Sequence, residues 1–192
     1  VGFLVLAVCT IIAYFRAVVS SPGRPDELPI TVRNKPSGPG RAMNRCYQCA
    51  EIKPVRSHHC SECEKCTMRM DHHCPWINNC VGFKNHKFFV NTLFYGTLAQ
   101  LYSLGTVAYY MWERVHKPDL RDWDYFYCVA IGVESLSVIG TVSLLAMHTG
   151  LLWMNRTTLE QFRLGTGDKY DIGVLRNFQQ VMGANPAVWC LP

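Results

Sequence analysis

The chain alternates between long apolar stretches and polar stretches, and this pattern predicts membrane-spanning helices. Residues 88–112 contain no Asp, Glu, Lys, Arg or His, and residues 125–155 contain only Glu134 and His148 of these types. Residues 1–15 carry no charge at all. Apolar stretches of about 18 or more residues are typical of transmembrane helices. The pattern therefore excludes a soluble globular enzyme and a disordered chain.

The N-terminal apolar stretch is shorter than a bilayer is thick. Fifteen residues of helix extend about 22 Å, whereas the hydrocarbon core measures about 30 Å. The first residue is Val1 and not Met, so we expect a chain that begins partway into a span. A signal peptide is the alternative, but the basic leader and the small-residue cleavage site are missing.

The distribution of charge predicts the topology. Residues 16–87 hold twelve Lys and Arg against six acidic residues, whereas residues 113–124 hold three against four. Because Lys and Arg concentrate in cytosolic segments, we place the long polar segment and the tail in the cytosol. The short loop then faces the lumen or the exterior. We expect no nucleic-acid partner, because the basic residues are not clustered with stacking aromatics.

The chain therefore divides into seven predicted segments. In order, they are a partial transmembrane span (1–20), a cytosolic linker (21–45), a Cys-rich zinc-binding domain (46–85), a span (86–112), a lumenal loop (113–124), a span (125–152) and a cytosolic tail (153–192). In the tail, Val174, Phe178 and Val181 recur at helical spacing before Gly183. This spacing predicts a short amphipathic helix against the membrane or the Cys-rich domain.

Cysteine and histidine are concentrated in the predicted zinc-binding domain. Seven of the ten cysteines and four histidines lie between Cys46 and Cys80. In a reducing cytosol such clusters bind metal, and sets of four thiolate and imidazole ligands favour tetrahedral zinc. Two zinc sites need eight ligands, so at least three of the eleven candidates are spare. Spacing alone does not identify them, but the thiol in Asp71-His72-His73-Cys74 is the foremost candidate, with one histidine ligating zinc and the other acting on the thiol.

The chain resembles the DHHC protein S-acyltransferases, or palmitoyltransferases. The matching residues are Cys46-x2-Cys49, Lys53-Pro54-x-Arg56, His59-Cys60-x2-Cys63-x2-Cys66, Asp71-His72-His73-Cys74-Pro75-Trp76 and Asn79-Cys80-x-Gly82. Residues 157–160 resemble the TTxE motif of the family, and residues 177–183 resemble its C-terminal PaCCT motif. Two departures are Ser21-Pro22-Gly23, where many members have Asp-Pro-Gly, and three visible spans where the family usually has four.

The resemblance implies two interleaved structural zinc ions. One set of ligands is Cys46, Cys49, His59 and Cys66, and the other is Cys60, Cys63, His73 and Cys80. The fold class that follows is an all-α polytopic membrane protein, a transmembrane helix bundle with a small cytosolic two-zinc module of short β-hairpins.

The resemblance also implies the roles of the catalytic residues. Cys74 is expected to be the nucleophile, His72 its base and Asp71 the group that orients the histidine. Thr158 resembles the residue that hydrogen-bonds the aspartate in the family. The alternative for Cys74 is a ninth metal ligand or a buried thiol without a catalytic role.

Further side chains are predicted near the reaction or in the core. The aromatic residues Trp76, Phe88 and Phe89 are candidates for lining the acyl pocket, with membrane anchoring as the alternative. His148, near the cytosolic end of the last span, is a candidate for approaching the active site. The cysteines outside the cluster are predicted to pack in the core, with acylation as the alternative; they are Cys9, Cys128 and Cys190.

The expected function is transfer of a long-chain acyl group from palmitoyl-CoA or a similar acyl-CoA to cysteine thiols. The expected partners are membrane-associated proteins with cytosolic cysteines and the lipid bilayer. The expected location is an endomembrane (Golgi or ER) or the plasma membrane, with a cytosolic active site. The alternative is a catalytically silent zinc-binding membrane scaffold, and a ubiquitin-ligase-like zinc module is more distant. A pure scaffold would not need a spare Asp/His/Cys set.

Overall fold

Three long helices form the largest part of the structure. In the computed structural model, which describes residues 1–29, 45–117, 122–162 and 169–192, α1 packs along α2 and α2 along α3. The helices are α1 (Gly2–Val19), α2 (His86–Val115) and α3 (Asp122–Trp153). Parts of the predicted linker, short loop and tail lie outside the described residues.

Within the described residues, two helices are long and apolar enough to cross a membrane. They are Gly2–Val19 and Trp123–Trp153, and few of their residues are buried. A core helix of a soluble protein would bury such side chains, so this exposure favours contact with lipid. Helix α2 is more polar, and its Gln100 exchanges hydrogen bonds with Ser137 and Thr141 of α3. The span predicted at 86–112 stays a prediction.

Two short β-hairpins form the Cys/His-rich module, as the sequence predicts. Strands β1 (His58–Cys60) and β2 (Lys65–Thr67) pair antiparallel, and so do β3 (His72–Cys74) and β4 (Asn79–Val81). A 3₁₀ turn, Pro75–Ile77, connects β3 to β4. Two-stranded hairpins are marginally stable in water, so this module needs support from outside its two sheets.

The second hairpin is fixed to the end of α1. The Asn79 side-chain amide donates to three carbonyl oxygens there, those of Ala17, Val18 and Ser20, at 3.0–3.3 Å. These bonds satisfy carbonyls that the helix end leaves unpaired. Beside them, a buried apolar cluster joins α1, the second hairpin and α2; its members are Ala17, Cys74, Ile77, Val81 and Phe89.

Gly82 allows the two hairpins and the linker to meet closely. A Cβ atom at this position would lie 2.5 Å from Cγ2 of Thr67 and 2.6 Å from the carbonyl oxygen of Pro22. Any side chain would therefore force the backbone of the linker away from the module. The neighbouring main chain closes the contact, because the Met68 amide donates to the Gly23 carbonyl at 2.8 Å.

The tail contributes two short helices, α4 (Thr158–Gln161) and α5 (Val174–Met182). Helix α5 ends at Gly183, which has a φ of +99°, so the prediction of a short helix with a glycine stop is confirmed. Its buried residues Val181 and Met182 pack with Val90 and Leu152. Helix α5 therefore lies on the two long helices α2 and α3.

The segment after α5 lies along one face of α2. Side chains of α2 donate to main-chain carbonyls of this segment: Lys87 to Val188 (2.8 Å), Asn91 to Trp189 (3.1 Å) and Leu191 (3.0 Å), and Tyr95 to Cys190. Trp189 also stacks on Phe178 of α5, with ring centroids 5.9 Å apart. The tail is thus fastened to the helical part of the protein at both α5 and its last residues.

Candidate active site and metal centres

The first Cys/His cluster joins the first hairpin to the loop before it. His59 and Cys66 are directly opposite each other on β1 and β2, and Cys46 and Cys49 come from the preceding loop. Nδ1 of His59 lies 3.0 Å from Sγ of Cys49 and 3.7 Å from Sγ of Cys46. The structure thus brings together the four residues that the resemblance assigns to one site.

The second cluster has the same construction and connects the two hairpins. His73 and Cys80 are opposite each other on β3 and β4, whereas Cys60 and Cys63 come from the end and turn of the first hairpin. Nδ1 of His73 lies 3.4 Å from Sγ of Cys63 and 3.6 Å from Sγ of Cys60. A metal ion bound by these four residues would fix one hairpin relative to the other.

The donor sets and distances fit zinc. A tetrahedral zinc ion separates two sulfur ligands by about 3.8 Å and a sulfur from a nitrogen by about 3.6 Å. The sulfur atoms of Cys49 and Cys66 lie 3.8 Å apart in the first cluster, and those of Cys63 and Cys80 lie 3.5 Å apart in the second. Three thiolates and one imidazole form a closed set, typical of a structural site.

The cysteines of the module follow a spacing that the sequence analysis missed. The pairs Cys46-x-x-Cys49 and Cys60-x-x-Cys63 recur after fourteen residues, and the third copy reads Cys74-x-x-Ile77. In this third copy a buried isoleucine replaces the second cysteine. Cys74 is therefore left outside both clusters.

Cys74 lies at the end of β3, where the 3₁₀ turn begins. Its side chain is buried beside Phe89 and Ile77. Burial raises the pKa of the Cys74 thiol, but hydrogen bonds with His72 and with the backbone amides of Ile77 and Trp76 lower that pKa below its ordinary value. The site thus favours the thiolate, which is the nucleophilic form of cysteine.

His72 connects the thiol to a carboxylate. Its Nδ1 lies 2.7 Å from Oδ2 of Asp71, and its ring makes an edge contact with Phe89 at 5.2 Å between centroids. Burial lowers the pKa of His72, but the hydrogen bonds with Asp71 and Cys74 raise it to about 9. This arrangement fits an imidazole that takes and returns the proton of Cys74.

Asp71 is completely buried and well satisfied. Besides His72, it accepts bonds from Thr158, whose amide donates to Oδ1 at 2.9 Å and whose hydroxyl donates to Oδ2 at 2.7 Å. Burial raises the pKa of Asp71, but the hydrogen bond with His72 and the amide of Thr158 hold it well below its usual range. The carboxylate therefore stays ionised and fixed in orientation.

The TTxE segment ties the end of α3 to the Cys/His module. Thr157 and Glu160 form a reciprocal capping box at the start of α4, which leaves Thr158 facing Asp71. Glu160 also pairs with Arg56 through two bonds of 2.7 Å, and both side chains are largely buried. A buried bidentate pair of this kind fixes geometry as well as charge.

Asn155 is a structural residue that sequence reasoning missed. Its side-chain oxygen accepts bonds from Arg56 (3.1 Å) and Arg69 (2.9 Å), and its amide donates to the Tyr170 carbonyl (2.7 Å) and the Gln180 side chain (3.1 Å). Its φ of +49° places it in the left-handed region, which asparagine tolerates better than most residues. Among the four residues that form these bonds with Asn155, the sequence analysis named only Arg56.

The three candidates for the acyl pocket differ in their burial and in their contact with Cys74. Phe89 is buried against Cys74 and His72, and Phe88 packs at the border of the same cluster below the Arg16 guanidinium, 4.0 Å from its ring centre. Trp76 is exposed. The structure thus places Phe89 against Cys74, Phe88 at the edge of the same cluster and the Trp76 side chain at the surface.

His148, which the sequence analysis named as a candidate for approaching the active site, is buried beside Asp71 and His72. Its Nδ1 lies 4.0 Å from Oδ2 of Asp71, and its ring centre lies 5.7 Å from that of His72 and 5.0 Å from that of Phe89. It therefore covers the Asp71–His72 pair from the side of α3.

The prediction that the remaining cysteines pack in the core is wrong for two of them. Cys128 and Cys190 are exposed, and Cys9 is half-buried. The error has a physical reason, because an apolar residue on a lipid-facing or interfacial surface has the same sequence context as a buried one.

The sequence of the chain is similar to those of known proteins. The family model for DHHC palmitoyltransferases matches residues 41–164. The chain is 38% identical to the human palmitoyltransferase ZDHHC20 over 160 residues, which cover 79% of this chain and 44% of that protein. It is 41% identical to zebrafish ZDHHC20-A with the same coverage. It is 38% identical to mouse ZDHHC15 over 174 residues, or 86% of this chain and 50% of that protein.

The chain spans about half the length of these curated relatives. The matched part of the chain contains both Cys/His clusters, the Asp71–His72–Cys74 series and the TTxE segment. The chain therefore belongs to the DHHC palmitoyltransferase family.

Proposed function

We propose that this protein is a protein S-acyltransferase that moves a long-chain acyl group, such as palmitoyl, from acyl-CoA to cysteine thiols of membrane-associated proteins. Membership of the family and the names of its relatives support this activity. The observation that carries the proposal is the hydrogen-bonded series from Thr158 through Asp71 and His72 to Cys74. This series lies outside both metal clusters, so it is available for chemistry.

The first half-reaction forms an acyl-enzyme. The Cys74 thiolate attacks the thioester carbonyl of acyl-CoA, the bond from the carbonyl carbon to the CoA sulfur breaks, and the departing CoA takes the proton held by His72. Asp71 keeps the remaining proton of His72 on Nδ1, so the other ring nitrogen is the one that exchanges protons with sulfur. Thr158 maintains the orientation of Asp71.

The second half-reaction transfers the acyl group to the substrate protein. His72 accepts the proton of the incoming cysteine, whose sulfur attacks the acyl-enzyme and releases the Cys74 thiolate. Each step exchanges one thioester for another, so the two steps are nearly isoenergetic and need no ATP.

The two Cys/His clusters are proposed to hold structural zinc. The ligands are Cys46, Cys49, His59 and Cys66 in one site and Cys60, Cys63, His73 and Cys80 in the other. Zinc there supplies folding free energy to a module with short strands and little core of its own. It also fixes β3, and hence Cys74, relative to α1 and α2.

The membrane is proposed to bind the acyl chain. Each CH₂ group removed from water contributes about 0.8 kcal/mol, so a long chain gains most by entering the bilayer beside Phe89, Phe88 and Trp76. A polytopic arrangement with spans at 1–20, 86–112 and 125–152 and a lumenal loop at 113–124 keeps Cys74 at the cytosolic surface. An endomembrane (Golgi or ER) or the plasma membrane fits this arrangement.

The test is in-gel labelling of the purified protein with an alkyne analogue of palmitoyl-CoA. We expect a label that neutral hydroxylamine removes, that Cys74→Ser abolishes and that Cys128→Ser, which changes an exposed cysteine of α3, preserves. Zinc content is measured on each variant to exclude misfolding. A zinc-loaded wild-type protein without label, or an unchanged label in Cys74→Ser, would overturn the proposal. The first of these outcomes would favour the scaffold alternative, which no observation on this chain now supports.

A further inference from the structure

A third group of metal-binding side chains lies at the active site itself. Among the described residues, the Asp71 carboxylate and the imidazoles of His72 and His148 bring ligand atoms within 4.8 Å of one another. None of these three residues belongs to the two Cys/His clusters. We propose that they form a reversible site for a divalent transition-metal ion, zinc in particular, and that an ion bound there inhibits acyl transfer.

The geometry of the group is close to that of a zinc site. Oδ2 of Asp71 lies 2.7 Å from Nδ1 of His72 and 4.0 Å from Nδ1 of His148. Zinc binds nitrogen and oxygen at about 2.0–2.1 Å, which separates two such ligands by about 3.3 Å at a tetrahedral angle. The two observed distances lie on either side of this value. A shift of about 0.6 Å by each imidazole therefore makes room for the ion.

His148 provides an independent reason to expect a ligand. Its side chain is 2% exposed, and its Nδ1 has no hydrogen-bond partner although it is buried. A buried polar atom without a partner is unfavourable, because it has lost its hydrogen bonds to water and gained none in the protein. A metal ion between His148 and Asp71 would satisfy this nitrogen directly.

The surrounding contacts hold the ligands in place. Thr158 fixes both oxygens of Asp71, and the ring of Phe89 packs against the imidazoles of His72 and His148. Two imidazoles and one carboxylate suit zinc and related transition metals, whereas Ca²⁺ and Mg²⁺ prefer all-oxygen sets. Three protein ligands leave the fourth tetrahedral position to water.

An ion in this position would change the role of His72. Coordination requires Nδ1 of His72 to lose its proton, and the single proton of the neutral ring then resides on Nε2. The ring nitrogen that should accept a thiol proton is thereby occupied, so the base is removed without loss of any residue. This inhibition rests on the proposed function, whereas the binding itself does not.

Binding is tested on the full chain with Cys74→Ser as the parent, because that variant has no active-site thiol to compete for metal. Zinc content is measured by mass spectrometry after titration with micromolar ZnCl₂ and removal of free ion. We expect a third equivalent in the parent that disappears when His148→Phe is added. Phenylalanine keeps the packing against Phe89 but has no ligand atom.

The matched control adds His116→Phe, which changes an exposed histidine at the other end of α2. It should retain the third equivalent. A parent with two equivalents only, or a third equivalent that survives His148→Phe, would overturn the site.

Inhibition is tested by the rate of labelling with the alkyne acyl-CoA, with and without micromolar ZnCl₂. We expect zinc to slow labelling at least tenfold in the wild type and in His116→Phe, with recovery after brief treatment with EDTA. In His148→Phe, the labelling rates measured with and without zinc should differ less than twofold. Equal sensitivity of His148→Phe and wild type would overturn the inference. Absence of any label would contradict the proposed function, while the zinc measurement would still decide whether the site exists.

Discussion

The two β-hairpins of the module begin with the same three residues, but the cysteines at the ends of these strands make different contacts. Strand β1 reads His58-His59-Cys60 and strand β3 reads His72-His73-Cys74. In both, the strand has the same burial pattern. The middle histidine lies opposite a cysteine of its partner strand in each hairpin. Sequence and local fold therefore do not by themselves separate a structural cysteine from a reactive one.

The difference lies in what surrounds each strand. Cys60 has a second cysteine, Cys63, three residues later and belongs to a Cys/His cluster. Cys74 has Ile77 at the equivalent position and forms a hydrogen bond with His72. The residue before β1 is Ser57, whose buried hydroxyl has no hydrogen-bond partner, and the residue before β3 is Asp71, which has three donors. Under the proposed function, the third copy of the repeat has lost one metal ligand and gained a carboxylate, and its cysteine is the nucleophile.

The largest expected effect separates the two cysteines. Cys60→Ser removes one of four ligands from the second cluster, and structural zinc contributes about 10–16 kcal/mol to folding of small zinc domains. We expect loss of about one zinc equivalent and of the folded module, whereas Cys74→Ser keeps both metals. Zinc content and resistance to proteolysis measure this. Two equivalents retained in Cys60→Ser would contradict the proposed ligand set.

The second prediction compares the first histidine of each strand. His72→Ala removes the base and should slow acyl-enzyme formation by about 100-fold or more, the usual contribution of a general base. His58→Ala should change the rate less than threefold, because it alters the hairpin whose cysteine serves a metal cluster. Rates come from time courses of labelling at equal zinc content. Similar losses in both variants would mean that the two hairpins are not chemically distinct.

The third prediction restores the cysteine that the third copy lacks. Ile77→Cys places a second thiol three residues after Cys74, and this C-x-x-C spacing readily forms a disulfide. We expect labelling in buffer without reductant to fall tenfold or more and to recover when reductant is added. Ile77→Ala, which leaves a comparable cavity without a thiol, should show no dependence on reductant. A reductant effect in Ile77→Ala would mean that the new thiol is not its cause.

The smallest expected effect concerns the support of Asp71. Thr158→Val removes one hydroxyl donor but leaves the amide and His72, and one such hydrogen bond is worth about 1 kcal/mol. Labelling should slow about fivefold, with a small loss of thermal stability. Thr157→Val should lower thermal stability by a similar amount but leave the labelling rate nearly unchanged, because its hydroxyl caps α4 and a lost cap costs about 1 kcal/mol of stability. Equal effects on rate would show that the TTxE segment acts only through folding.

The sequence predicted part of this arrangement. The spacing of Cys and His between Cys46 and Cys80 predicted metal binding, whereas the two ligand sets and the Asp71–His72 contact followed from the resemblance to the family. The long apolar stretches at both ends of the module also predicted helices correctly.

Contacts between distant segments could not be predicted in the same way. The pair of Arg56 and Glu160 joins residues far apart in the chain, and neither an arginine in a loop nor a glutamate in a capping box identifies its partner. Asn155 is equally inconspicuous, since its role depends on a left-handed backbone and on four groups from different segments. The position of His148 near one end of the last predicted span suggested that it approaches the active site. Its distance from Asp71 could be determined only from the structure.

The way the last segment lies on α2 has an evolutionary consequence. Lys87, Asn91 and Tyr95 all donate to main-chain carbonyls of that segment, and every amino acid supplies an identical carbonyl. These hydrogen bonds do not depend on the side chains of the last segment, whose side-chain contribution is the stacking of Trp189 on Phe178. We therefore expect few amino-acid substitutions among orthologues at these α2 positions and more substitutions in the segment that they bind.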